Sequence, residues 1–191
     1  MARPCEIEYL RKRIGQILKS AACLEIRFKV ANICIQRFMY TYIGDAILKD
    51  DVHLDIADAR QYDHTTNVLT LDSYDVAPTV IVHECTHAVI NATHVGKSIR
   101  NGAHETAAYL AESLWALLTD NDVAVDVPHL DRRMYDVAKE VKAFNAKNRM
   151  GLYELDPAEQ HYMEALMRNS GNRTDVDRVD VQVGIPNGKK K

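Results

Sequence analysis

The stretch Val80-Ile81-Val82-His83-Glu84-Cys85-Thr86-His87-Ala88-Val89-Ile90 sets two histidines four residues apart, with a glutamate directly after the first. On a helix, positions 83 and 87 lie one turn apart on the same face. Two imidazoles so placed can grip one metal ion, and zinc is the ion that suits them best. Glu84 points to the neighbouring face, where it reaches a water on the metal rather than the metal itself. Zinc lowers the pKa of such a water from about 15.7 to about 7. A carboxylate beside it takes the proton and later hands it to a leaving amine. The spacing therefore predicts a hydrolytic zinc centre with His83 and His87 as ligands and Glu84 as general base.

The surroundings sharpen this reading. The motif sits in a run that is apolar on nearly every side, so its helix is expected to be buried. Buried imidazoles and carboxylates need partners or a metal. The competing reading is a pair of core histidines bonded to the backbone.

A catalytic zinc usually takes three protein ligands and keeps one position for water. The extended pattern H-E-x-x-H-x-x-G-x-x-H fails here, because Ile90 and Thr93 stand where it needs Gly and His. His104 and Glu105 open the next helical stretch, pointing about 100° apart, and either residue type can close the site. His94 follows the motif helix, where it would favour the helix dipole. His64 lies among turn formers and is expected to face solvent.

Two segments carry a family resemblance. H-E-C-T-H-A (83–88) and E-T-A-A-Y-L-A (105–111) resemble the Glu-ligand branch of the zincin metallopeptidases, of which thermolysin is the familiar member. The likeness is nearer to small bacterial zincin-like proteins with a Y-D-x-x-T-N-x-L strand before the motif. Tyr62-Asp63, Thr66-Asn67 and Val68-Leu69 match that strand. The resemblance spans residues 60–118 and implies His83, His87 and Glu105 as zinc ligands, with Glu84 as base. It also implies a peptide or protein substrate. One departure stands out: thermolysin-like enzymes carry an Asp four residues after the third ligand, and here that position is Tyr109. Glu112 and Asp72 are the candidates for orienting a histidine in its place. Candidates for stabilising the oxyanion are Tyr109, Tyr135, Tyr153, His129 and His161, by residue type.

The elements around the motif follow from periodicity and turn chemistry. Ile7, Leu10, Ile14, Ile17 and Leu18 recur at helical spacing over 5–19, and the same pattern reads on through about 21–48. Tyr40 and Tyr42 on that stretch are expected to pack in the core. Two short extended runs around Asp63–Asn67 predict a hairpin, whose second run, Val68–Leu71, has a free edge able to hold an extended peptide. Pro78 suits the first turn of the motif helix, and Gly96 suits its end. A helix over about 103–119 is rich in alanine and is expected to pack on both sides, with Glu105 aimed at the motif helix. A further amphipathic helix spans about 131–148. Asp156 and Pro157 start the next, which reaches about Arg168.

The fold class is thus α+β, mostly α, with a zincin-like core. One domain is expected over 1–168: a helical scaffold (1–49), the metal-site core (50–119) and C-terminal helices (120–168). Residues 169–191 are expected to form a polar, flexible tail, although V-D-V-Q-V (179–183) alternates in the manner of a strand.

A net charge of −3 lacks the basic footprint of a nucleic-acid binder. No run approaches the ~18 apolar residues of a membrane span. The N-terminal residues lack the apolar core of a signal peptide. Cys5, Cys23, Cys34 and Cys85 form no metal or disulfide spacing. The default expectation is the cytoplasm, with signal-independent export left open. Two further functional readings fit the same residues: a zincin-fold module that binds without turnover, and a bacterial toxin or secreted effector using the same site.

Overall fold

The computed structural model describes residues 4–120, 132–169 and 176–185. The chain is mixed α+β and mostly helical. Helix α1 (Pro4–Leu18) buries Leu10, Ile14 and Leu18 and leads into the short α2 (Ala21–Glu25). A hairpin of β1 (Phe28–Val30) and β2 (Ile33–Ile35) follows, and then α3 (Arg37–Leu48).

The single helix expected over 21–48 is therefore two helices flanking a hairpin. Phe28, Val30, Ile33 and Ile35 are fully buried, while Lys29 and Cys34 are half-buried. That is the period of two that a strand requires. Ala31 takes a positive φ of 50° to turn the chain between them. The residues that looked like a helical continuation are β-branched and aromatic, types that pack well on a pleated surface.

Strands β3 (His53–Ile56), β4 (Gln61–Asp63) and β5 (Val68–Leu71) form a sheet of order β3-β5-β4. β4 and β5 pair antiparallel, as the turn residues predicted, with Tyr62 opposite Leu69. Asp63 Oδ1 accepts from the backbone N–H of Thr65, and Asn67 closes the turn at φ 55°. β5 is nevertheless central, because β3 pairs parallel to its other side. The edges of this sheet are β3 and β4, so the free edge expected on β5 falls instead, on the hairpin side, to β4.

Helix α4 (Pro78–Thr93) carries the motif and has buried residues on every side, from Thr79 to Asn91. Pro78 sits in its first turn, and Gly96, at φ 75°, takes the chain out beyond it. A short β6 (Ser98–Arg100) precedes α5 (Asn101–Leu118). Its Ala103, Ala107, Ala108 and Ala111 are buried, and side chains this small let α5 lie close against α4. Tyr40, fully buried, ties α3 to α4 through a 2.7 Å hydrogen bond between its hydroxyl and Thr86 Oγ1. Tyr42 is exposed.

Helix α6 (Arg132–Lys147) packs on α5, and β7 (Tyr153–Glu154) extends the first sheet parallel to β1. Asp156 Oδ1 accepts from the backbone N–H of Ala158 at the start of α7 (Pro157–Asn169). Residues 176–185 depart from the flexible tail expected. β8 (Val179–Val181) pairs antiparallel with β6, with Ile99 opposite Asp180. The alternation that suggested a strand prevails because β6 offers it an open edge. No helix among the described residues is long and apolar enough to cross a membrane.

Candidate metal centre and cleft

α4 and α5 face one another, and each presents polar groups at helical spacing. From α4 come His83 and His87, one turn apart. From α5 come Glu105, Tyr109 and Glu112, at spacings of four and three, so they too share a face. The face is buried: His83, Glu84, Glu105 and Glu112 are each 3–6% exposed.

His83, His87 and Glu105 converge. Glu105 Oε2 lies 3.5 Å from His83 Nε2, and Glu105 Oε1 lies 3.6 Å from His87 Nε2. One potential ligand atom from each residue lies within 4.8 Å of the other two. A tetrahedral zinc with bonds near 2.0–2.1 Å spaces its ligands about 3.3–3.4 Å apart. Glu105 meets each imidazole at close to that spacing. The donor set of two imidazoles and a carboxylate also matches the type that zinc takes. Three acids, Glu84, Glu105 and Glu112, lie sunk around two imidazoles. Burying charge of one sign is costly, and a divalent cation would offset it.

Both histidines are held from behind. His83 Nδ1 lies 3.1 Å from Glu112 Oε2, which leaves Nε2 directed at Glu105. Of Glu112 and Asp72, Glu112 is the carboxylate that reaches this histidine. Asp72 is engaged by Arg60 at 2.6 Å. Tyr109 packs edge-on against the His83 ring, with centroids 4.5 Å apart. Burial raises its hydroxyl to about 12, with Glu112 and Glu84 adding to the effect.

His87 is backed by a different partner. Its Nδ1 lies 3.1 Å from His104 Nδ1, and the two rings stack. His104, the alternative third ligand, thus stands behind His87, while Glu105 faces both Nε2 atoms. Burial holds the His104 ring neutral by lowering its pKa to about 4.

The site opens into a cleft of about 320 Å³. Glu84, His87, His104 and Glu105 line it. Arg60, Gln61, Tyr62 and His64 form one wall, from β4 and its turn, and Arg178, Asp180 and Gln182 form the other, from β8. The walls are stitched together at one end by Asn91, which is fully buried. Its Oδ1 accepts from the backbone N–H groups of Val183 and Gly184, and its Nδ2 donates to the Tyr62 hydroxyl. That hydroxyl donates in turn to Asn67 Oδ1.

Several candidates fall elsewhere. Tyr135, Tyr153 and His161 do not line the cleft; the Tyr153 hydroxyl donates to Glu140, and Lys139 lies over the Tyr135 ring. His129 lies outside the described residues. His94 is buried rather than a cation at a helix end: its Nε2 accepts from the Cys34 backbone N–H, and burial lowers its pKa. His64, expected in solvent, is half-buried on the cleft wall. The wall from β8 was missed, and its signal was the alternation over 179–183. No protein-family model, curated protein or solved structure matches the chain.

Proposed function

We propose that the protein is a zinc-dependent hydrolase with a zincin-like core, acting as a metallopeptidase on the amide bonds of a peptide or protein. The observation that carries this reading is the convergence of His83, His87 and Glu105 beneath an open cleft that Glu84 also lines. Zinc bound there would supply Lewis-acid activation of water and of the amide carbonyl.

The remaining work falls to the chain's own side chains. Glu84 takes the proton of the attacking water and delivers it to the amine nitrogen as the amide bond breaks. Glu112 accepts a hydrogen bond from His83 Nδ1 and so keeps the Nε2 lone pair facing the ion. The edge of β4 offers backbone groups to an extended substrate, and residues 176–185 close the opposite side. His64, which lines the same cleft as Glu84, is of a type that can donate to an oxygen gaining charge.

Glu84→Gln tests the mechanism. The variant should bind zinc as the parent does and lose about 10²–10⁴-fold or more in hydrolysis of peptide libraries. Undiminished turnover would remove Glu84 from the mechanism. Stoichiometric zinc in the parent, with no turnover on broad peptide and cell-wall screens, would favour the non-catalytic binding module.

A further inference from the structure

The hydrogen bond between His87 Nδ1 and His104 Nδ1 has a direction once His87 is a metal ligand. A histidine binding through Nε2 carries its proton on Nδ1 and donates it. His104 Nδ1 must then accept, which puts the proton of His104 on Nε2. That nitrogen is buried and makes no direct hydrogen bond among the described residues. Gln182 lines the same cleft as His104, and its side chain lies close enough to influence the ring without a direct hydrogen bond to it. Gln182 is 1% exposed, and its Oε1 is likewise buried without a direct hydrogen bond. Its Nε2 donates to the backbone carbonyl of Asp180 at 3.3 Å, which leaves Oε1 as the acceptor for His104. Donors and acceptors therefore alternate without conflict from β8 to the metal centre.

We infer that His104 and Gln182 are positioning residues for His87, and that the 176–185 segment is a working part of the metal site. The inference rests on the metal reading proposed above. The polarity runs from His87 Nδ1–H to His104 Nδ1, and it leaves His104 Nε2–H to be met by Gln182 Oε1. The resulting brace fixes the tautomer and plane of His87, as Glu112 does for His83. It differs in kind from the Glu112 brace, because a neutral ring and an amide replace a carboxylate. The two histidines therefore differ in donor strength, and the segment after α7 bears on metal affinity.

The test uses the full chain, zinc in competition with a chelator, and the visible spectrum of the cobalt-loaded protein. His104→Leu and Gln182→Met remove the brace at its two links. His104→Asn keeps an acceptor near the position of Nδ1. The inference predicts that the first two weaken zinc binding about 10–100-fold at unchanged stoichiometry, and that cobalt bands shift in His104→Leu. It also predicts that His104→Asn recovers most of the affinity. A purely packing role would not give that rescue or that spectral change. Affinities within about twofold of the parent in both His104→Leu and Gln182→Met would overturn it. So would complete loss of stoichiometric metal in both His104 variants, which would make His104 a ligand. A parent protein that binds no zinc would instead bring down the proposed function, a result distinct from either.

Discussion

Glu112 offers the sharpest separation of metal chemistry from packing. It is 3% exposed, its Oε2 sits 3.1 Å from His83 Nδ1, and it stands outside the trio proposed to hold the ion. Glu112→Leu keeps the volume apolar and removes the acceptor. Loss of such an outer partner weakens metal binding about 10–100-fold, or about 1.4–2.8 kcal/mol. The effect is read as the difference in melting temperature between the zinc-loaded and chelated forms of each protein. Free zinc at about 100 times the parent's dissociation constant stabilises the parent by about 2.7 kcal/mol. At the same zinc, the variant gains about 1.4 kcal/mol if tenfold weaker and about 0.4 if a hundredfold weaker.

For a domain of this size, 1 kcal/mol corresponds to about 2–4 °C. The parent's gap is then about 5–11 °C, and the variant's about 1–6 °C. Comparing each protein with its own chelated form cancels whatever the substitution does to the metal-free fold. Glu112→Gln, which keeps an acceptor but loses the charge, should fall between them. A Glu112→Leu gap equal to the parent's, with both forms shifted together, would show that Glu112 only packs.

Other outcomes follow from the cleft walls. Asn91→Ala leaves two backbone N–H groups without their partner, at about 1–3 kcal/mol for each group left unsatisfied, and takes one donor from the Tyr62 hydroxyl, which keeps Asn67. Protease cleavage within 176–185 should accelerate before the rest of the chain is attacked, and equal susceptibility in parent and variant would refute the stitching. His64→Ala should lower kcat by about 10²–10³-fold, with KM changed far less, if the ring donates to the developing oxyanion. A change in KM alone would assign His64 to substrate binding.

The motif helix was legible because its signal is local. H-E-x-x-H fixes the relation of His83 to His87 through helix geometry alone, and the apolar run around it announces burial. Glu105 and Glu112 were legible because seven residues make two helical turns, so one face carries both. The hairpin at 28–35 is hidden because Ile26, Val30 and Ile33 fall at helical spacings of four and three, although Phe28, Val30, Ile33 and Ile35 pack as strand residues. Only the turn at Ala31 and Asn32 marks the break. The position of β5 was hidden because edge or centre depends on β3, a tertiary pairing that no local pattern encodes.

The wall from residues 176–185 was undervalued for a related reason. Val179, Val181 and Val183 are exposed, and Arg178, Asp180 and Gln182 look like ordinary polar tail residues until β6 sets them against His104. In the same way His104 and His64 acquire meaning through α4 and the cleft, not through their neighbours in sequence.

The central claim is that His83, His87 and Glu105 hold one ion between α4 and α5. Metal analysis of the purified chain, combined with zinc-edge X-ray absorption, addresses it directly. The expected result is one zinc per chain, with two imidazole nitrogens at about 2.0–2.1 Å and oxygen ligands at about 2.0–2.2 Å. Loss of that signal is expected in both His83→Ala and Glu105→Ala. A chain that retains no divalent metal after equilibration with zinc, or that keeps it fully in Glu105→Ala, would contradict the claim.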